Sequence, residues 1–416
     1  MPVRKNSFIY KLILFAAFVS PIGAQAFSLS TPIGKLSLFR IAIIISLVLM
    51  IMDKLKSGGK LIVSYKSNRY SVHFMYLWFI YSFIQVIWAD DKSSWFKYMF
   101  FFLIGIISIL LFLNYINSKE DVYKVMSYLN LGIFIQSIIG WYEMFTGNYM
   151  YITQGAVNQY TYWNTIRVPV AMQFNPNDFA LLMMLGIVIT LVAYNSYQNK
   201  LWKIITLVFC VNYAVLLVLT RSRGMILALG IGICYIIITD FHKKIGFILL
   251  GIVLLFAIPD VFEFIMEQFM HSESNQTSDT LRMNLYKNGL LMFTNSYGFG
   301  IGLGQVSRWL SRSSVFSVSG IEALHNWWLE ILASSGFIFF IGYIKYYYGL
   351  FKSFTLRKKH ILIISEKRIA MVLSSFLLSF AAGCLSCSTL FTSEVFWFVW
   401  GVLICLQGIY DFEYLY

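Results

Sequence analysis

Three side chains of this sequence combine types and surroundings suited to chemistry on a charged substrate: Arg223, Arg282 and His325. Arg223 lies in Thr220-Arg221-Ser222-Arg223-Gly224, a short polar junction between two apolar runs. A guanidinium holds phosphate oxygens bidentately and stays charged at any biological pH, so phosphate is the anion these arginines suit. A tight turn with two snorkelling arginines is the plainer account of Arg221 and Arg223. Arg282 falls early in 279–290, which reads as a short amphipathic helix, where an arginine is ordinarily solvated. His325-Asn326-Trp327-Trp328-Leu329-Glu330 opens a further apolar run. The positive end of a helix would keep that imidazole neutral, as a general base requires; a lone histidine at a helix start is otherwise a cap or surface residue.

A fourth polar cluster, Phe174-Asn175-Pro176-Asn177-Asp178, also opens an apolar run. Asn175 as N-cap and Pro176 in the first turn account for the start of a helix. Asp178 asks for more, because a carboxylate at the edge of hydrocarbon is costly unless paired or in a polar cavity. The run Gly298-Phe299-Gly300-Ile301-Gly302-Leu303-Gly304 lacks the preceding strand of a nucleotide fold and reads as a place where backbone packs closely.

The elements that must position these residues are membrane helices. Of 416 residues 59% are hydrophobic and 12% charged, which implies an all-α polytopic membrane protein. Apolar windows long enough to span a bilayer fall near 8–27, 36–52, 71–89, 97–116, 124–145, 171–195, 204–220, 224–240, 245–262, 327–349, 369–386 and 394–410, about twelve in all. A single integral membrane domain over 1–416 is expected, with one long extracytoplasmic loop over 260–326. The net charge of +13 sets topology rather than marking a nucleic-acid partner. Arg4, Lys5, Lys54, Lys56, Lys60, Lys66, Arg69, Lys243, Lys244, Arg357, Lys358 and Lys359 gather on one side of a twelve-span arrangement. By the positive-inside bias that side is the cytoplasm, and both termini lie there. Ala24-Gln25-Ala26 resembles a signal-peptide cleavage site, although the helix count favours a retained first span.

On this topology the spans beginning at Asn175, Arg223 and His325 all start at the outer face, so their positive ends would form an anion site with a base beside it if they converge. Cys384 and Cys387 form a C-x-x-C without a second cysteine pair, and no metal site or cofactor is expected.

The motif set Phe174-Asn175-Pro176-Asn177-Asp178, Ser222-Arg223-Gly224, Leu281-Arg282 with Gly300-x-Gly302-x-Gly304, and His325-Asn326-x-x-Leu329-Glu330 resembles the O-antigen ligase and polymerase superfamily. The resemblance covers most of 170–345. It implies a metal-independent, membrane-embedded glycosyltransferase of the C type, acting outside the cytoplasmic membrane on an undecaprenyl-diphosphate-linked glycan donor and a glycan acceptor. It further implies that Arg223 and Arg282, with Arg221 beside them, hold the donor pyrophosphate and that His325 activates the acceptor hydroxyl. Asn175, Asn177, Asp178, Asn326 and Glu330 would support them, and a flippase and a chain-length regulator are candidate partners. Trp327-Trp328 departs from the usual pair and reads as an interfacial belt in preference to a platform for stacking on sugar rings.

Within that family a polymerase of a capsule, exopolysaccharide or wall polysaccharide is preferred over a ligase that transfers the finished chain to lipid A core, wall polymer or protein. The reading of another class is a lipid-linked oligosaccharide flippase. It would place charge in mid-span along a transport path, whereas here the polar features crowd at span ends.

Overall fold

The computed structural model describes residues 7–23, 28–31, 34–61, 63–150, 167–173, 175–239, 278–357 and 363–412, with positions 247, 250 and 251. Phe174, the Ala24-Gln25-Ala26 site, most of the window 245–262 and the start of the expected loop, through 277, lie outside them. The described chain is helical apart from a two-stranded antiparallel ribbon, β1 (Ser28–Thr31) and β2 (Gly34–Ser37), which hydropathy alone did not anticipate.

The helices are α1 (Phe8–Val19), α2 (Leu38–Ser57), α3 (Arg69–Ile84, extended by a 3-10 turn to Ile87), α4 (Lys92–Tyr115), α5 (Lys119–Thr146) and α6 (Pro176–Ser196). They continue with α7 (Lys200–Leu219), α8 (Arg223–Ile238), α9 (Ser278–Asn295), α10 (Val306–Ser313), α11 (Trp327–Arg357), α12 (Ile364–Gly383) and α13 (Glu394–Phe412). Among the described residues six segments are long and apolar enough to cross a membrane: Arg69–Ile87, Lys92–Tyr115, Lys119–Thr146, Pro176–Ser196, Lys200–Leu219 and Trp327–Leu356. Phe8–Val19, Arg223–Ile238 and Glu394–Ile409 are shorter apolar helices. The chain is therefore an all-α polytopic membrane protein.

Local chemistry fixes the helix ends. Asp91 accepts the Ser93 and Ser94 backbone N–H groups and starts α4, and Gly58 at φ 66° ends α2 in the left-handed conformation a glycine adopts without strain. In α11 the chain leaves helical geometry at Gly336 (φ 78°, ψ −179°), so two helices meet there at a break.

The chain divides into two compact units. The first comprises 1–132, 281–353 and 389–416, and the second 133–280 and 354–388. In the first, α4 packs on α13 and α1 on α2. Its aromatic centre is Trp78, edge-on to Phe102 at 5.1 Å and to Phe391 at 5.6 Å. Arg40 pairs with Glu394 at 2.6 Å, both buried, and Ser37 donates to the same carboxylate. In the second unit, α6 packs on α7 and on α12, and α8 on α12. A side chain at Gly232 would collide with Ser379 Oγ, so α8 and α12 meet through small residues, as packed membrane helices do.

Candidate functional site

In the second unit the junction between α7 and α8 is a hydrogen-bonded turn. Thr220 Oγ1 accepts the Ser222 backbone N–H, and Arg221 sits at φ 55°. Ser222 precedes α8 but does not cap it with its side chain; its hydroxyl donates to Asn177 Oδ1 at 2.5 Å instead. Asn175 caps α6 by accepting the Asn177 N–H at 2.8 Å, with Pro176 behind it, as the sequence predicts. A Cβ at Gly224 would overlap Ser386, which explains glycine after Arg223. Arg223 is thereby the first residue of α8, at its positive end. Asp178 accepts the Ser388 backbone N–H at 2.9 Å. That bond answers the cost of a carboxylate here and makes Asp178 a tie between the start of α6 and the segment after α12.

In the first unit the part of the expected extracytoplasmic loop from residue 281 onward is a folded layer. α9 is longer than the expected helix, and Leu285, Met292, Val306, Leu310, Val318, Leu324 and Ala333 form a hydrophobic cluster of their own. Buried Asn288 holds the crossing chain: its Nδ2 donates to Phe316 O, and its Oδ1 accepts the N–H groups of Val315 and Phe316.

The glycine run packs into the break in α11. Ile301 N donates to Ala333 O, Gly302 N to Ser334 O, and Phe337 N to Gly298 O, each within 3.1 Å. Gly300 stands at φ 85°, and a Cβ there would lie 2.6 Å from Gly336 N. The expected close backbone approach is thus present, against a broken helix. Gln85 bridges the same seam, donating to Ser334 O and accepting the Leu303 N–H.

This platform sets the start of α11. Asn326 caps the helix, its Oδ1 accepting the Leu329 N–H at 3.1 Å and its carbonyl the Glu330 N–H at 2.9 Å. His325, one residue earlier, adopts φ 50°, a left-handed conformation costing an L-residue about 1–2 kcal/mol. Its Nδ1 is buried with no hydrogen-bond partner among the described residues. Burial first, and the positive charge of Arg282 second, lower the imidazole from its ordinary 6.5 to about 4. His325 is therefore neutral at physiological pH, with a ring nitrogen uncommitted among the described residues. Strain and an unmet polar atom in one residue are features that cluster at functional sites.

Glu330 is buried one turn further along and faces Tyr98 and Thr389. Sequence reasoning missed Tyr98 and Thr389, which come from α4 and the approach to α13; only the fold brings them to Glu330. Trp327 corrects another expectation. It is 2% exposed, donates from Nε1 to Tyr343 Oη at 2.9 Å and packs edge-on to Phe391 at 4.7 Å. Trp327 is core rather than an interfacial belt, because Trp78 of α3 and Phe391, just before α13, cover it.

The predicted site residues thus fall into two sets. His325, Arg282, Asn326 and Glu330 belong to the first unit, and Asn175, Asn177, Asp178, Arg221 and Arg223 to the second. Among the described residues no group of three or more histidine, cysteine, aspartate or glutamate side chains could hold a metal ion.

Residues 205–344 match the family model described as O-Antigen ligase, a span that includes Arg221, Arg223, Arg282, His325, Asn326 and Glu330. The chain is also 28% identical over 291 residues to the Teichuronic acid biosynthesis protein TuaE of Bacillus subtilis (strain 168). That alignment covers 66% of this chain and 58% of the relative's length. In these matches, as in the ordered motifs around Arg223, Arg282 and His325, the chain is similar to the O-antigen ligase and polymerase superfamily.

Proposed function

We propose that this protein is a membrane glycosyltransferase that polymerises undecaprenyl-diphosphate-linked oligosaccharide repeat units into a cell-envelope polysaccharide on the outer side of the cytoplasmic membrane. A twelve-span, C-type arrangement with both termini in the cytoplasm belongs to the same reading. The observation that carries it is His325: a neutral, strained imidazole with a buried unpartnered nitrogen beside Arg282, inside the segment matched to O-Antigen ligase.

In the reaction an acceptor hydroxyl attacks the anomeric carbon of the donor. The new glycosidic C–O bond forms as the C–O bond to the diphosphate breaks, and the lipid diphosphate leaves with the electron pair. His325 takes the hydroxyl proton. Negative charge grows on the leaving group, and fixed guanidinium groups are the means this chain has to stabilise it. Arg282 and Arg223 are assigned that role, with Arg221 next to the latter. Asn177 fixes the turn that presents Arg223, and Asn326 fixes the helix start that presents His325.

The ligase reading rests on the similarity of residues 205–344 to the O-Antigen ligase family. Analysis of undecaprenyl-linked glycans by size and sidedness in a strain lacking the protein separates the readings. Single repeats exposed outside are expected. Long lipid-linked chains would make the protein a ligase, and single repeats retained inside would make it a flippase. General-base catalysis contributes about a hundred- to ten-thousandfold, so His325→Ala should lower polymer yield by that order at normal protein levels. Unchanged polymer in His325→Ala would sink the assignment.

A further inference from the structure

A cleft of about 520 Å³ opens in the first unit, separate from His325. Trp88 and Asp90, from the connection between α3 and α4, line one part of it; Arg308, Trp309 and Arg312 of α10 line another, with Asn295 at the end of α9. Its volume falls within the range of about 300–1,000 Å³ typical of small-molecule sites.

The walls are fixed before any ligand arrives. Trp88 donates from Nε1 to Gly300 O at 2.9 Å, which pins the indole to the glycine seam. Gln305 exchanges hydrogen bonds with the Asp91 backbone, accepting its N–H and donating to its carbonyl. Arg308 approaches Asp91 at 3.6 Å. Hydrogen bonds from the Ser94 and Ser93 N–H groups and the Ser94 hydroxyl hold Asp91 below the usual carboxylate range.

The chemistry of the lining decides among ligands. An acyl chain would strand Asp90, Arg308 and Arg312 against hydrocarbon, and unmet charges are expensive to bury. A bare phosphate would use the arginines but meet Asp90 and leave both indoles idle. A pyranose ring offers an apolar face of C–H groups and an edge of hydroxyls that both donate and accept. That matches two indoles beside two guanidinium donors, one carboxylate acceptor and an amide that can do either.

We infer that this cleft is a glycan-binding subsite, in which a sugar ring of the saccharide chain lies against Trp88 or Trp309 while Asp90, Arg308 and Arg312 bond its polar edge. The inference deepens the reading of the protein as a glycan-handling enzyme and rests on it. A subsite set apart from the general base would hold the chain across successive additions.

The test uses the full-length protein in nanodiscs and, as probe, oligosaccharide released by mild acid from the host's own surface polysaccharide, with tryptophan fluorescence reading affinity. Wild-type protein and His325→Ala should bind alike. Trp309→Ala should weaken binding about three- to tenfold, the scale of an aromatic contact, while Trp309→Phe retains most of it. Exposed Arg312 permits a variant that spares the core, and Arg312→Gln with Asp90→Asn should lose about tenfold or more, as hydrogen bonds to charged groups do. No binding by wild type, or wild-type affinity in Arg312→Gln/Asp90→Asn, overturns the subsite. Normal polymer made by His325→Ala overturns the catalytic reading instead, so the two failures are distinguishable.

Discussion

The proposed role of His325 as general base rests on three features that reinforce one another. The left-handed backbone turns the chain so that Asn326 can cap α11, buried Nδ1 has no partner among the described residues, and Arg282 opposes protonation. Because the folded imidazole titrates near 4 rather than 6.5, activity should stay level as pH falls through 6.5 and decline only toward 4. Arg282→Gln removes the second cause and should move this acid limb upward while burial keeps it below 6.5; Arg282→Lys should leave it nearly in place. A pH profile of kcat/KM in proteoliposomes checks this, and a wild-type limb at 6.5 contradicts it. Stability follows the same sign. Between the folded and unfolded values the unfolded chain binds more protons, so the contribution of neutral His325 is present above 6.5 and lost as pH falls toward 4. The histidine was legible in the sequence because it stands next to a helix start. Tyr98 and Thr389 were not, because no local pattern links α4 or the approach to α13 with Glu330.

Among the elements, the broken α11 and the glycine run form one device. Gly336 has φ 78° and ψ −179°, a conformation open essentially to glycine, and its Cβ would lie 2.6 Å from Phe299 O. Gly336→Ala should therefore cost about 2 kcal/mol or more through backbone strain and overpacking together. Gly230→Ala, in α8 with nothing within 4 Å of its Cβ, should be neutral or stabilising by up to about 1 kcal/mol. Thermal midpoints in detergent measure both, and an undisturbed midpoint in Gly336→Ala would refute the account of the seam. The sequence disclosed the glycine run but not its partner. Hydropathy reads straight through Gly336, since a break in a helix leaves the apolar composition on either side unchanged. Hydropathy is equally blind to how the later part of 260–326 folds. From residue 278 its polar surface hides a hydrophobic cluster supplied by α9, α10, the connection after it and α11, residues too dispersed in sequence to make an apolar window.

For the whole molecule, charge sets which end faces which compartment. Lys54 and Lys56 close α2 beside Gly58, whereas Asp90, Asp91 and the cleft at Arg312 lie at the other end of α3 and the start of α4. The positive-inside bias assigns the lysine-rich end to the cytoplasm. A lipid-linked donor presented outside then requires the end bearing Asp90 to be external, for a cytoplasmic site would meet nucleotide sugars instead. Exposed Ser57 and Ser313 report the two ends. With exposed Cys234 replaced by serine and the remaining four cysteines buried, an impermeant maleimide should label Ser313→Cys in intact cells and Ser57→Cys only after permeabilisation. The reverse pattern would invert the topology and, with it, remove the argument for a lipid-linked donor, since His325 and the cleft would then share the compartment of soluble activated sugars.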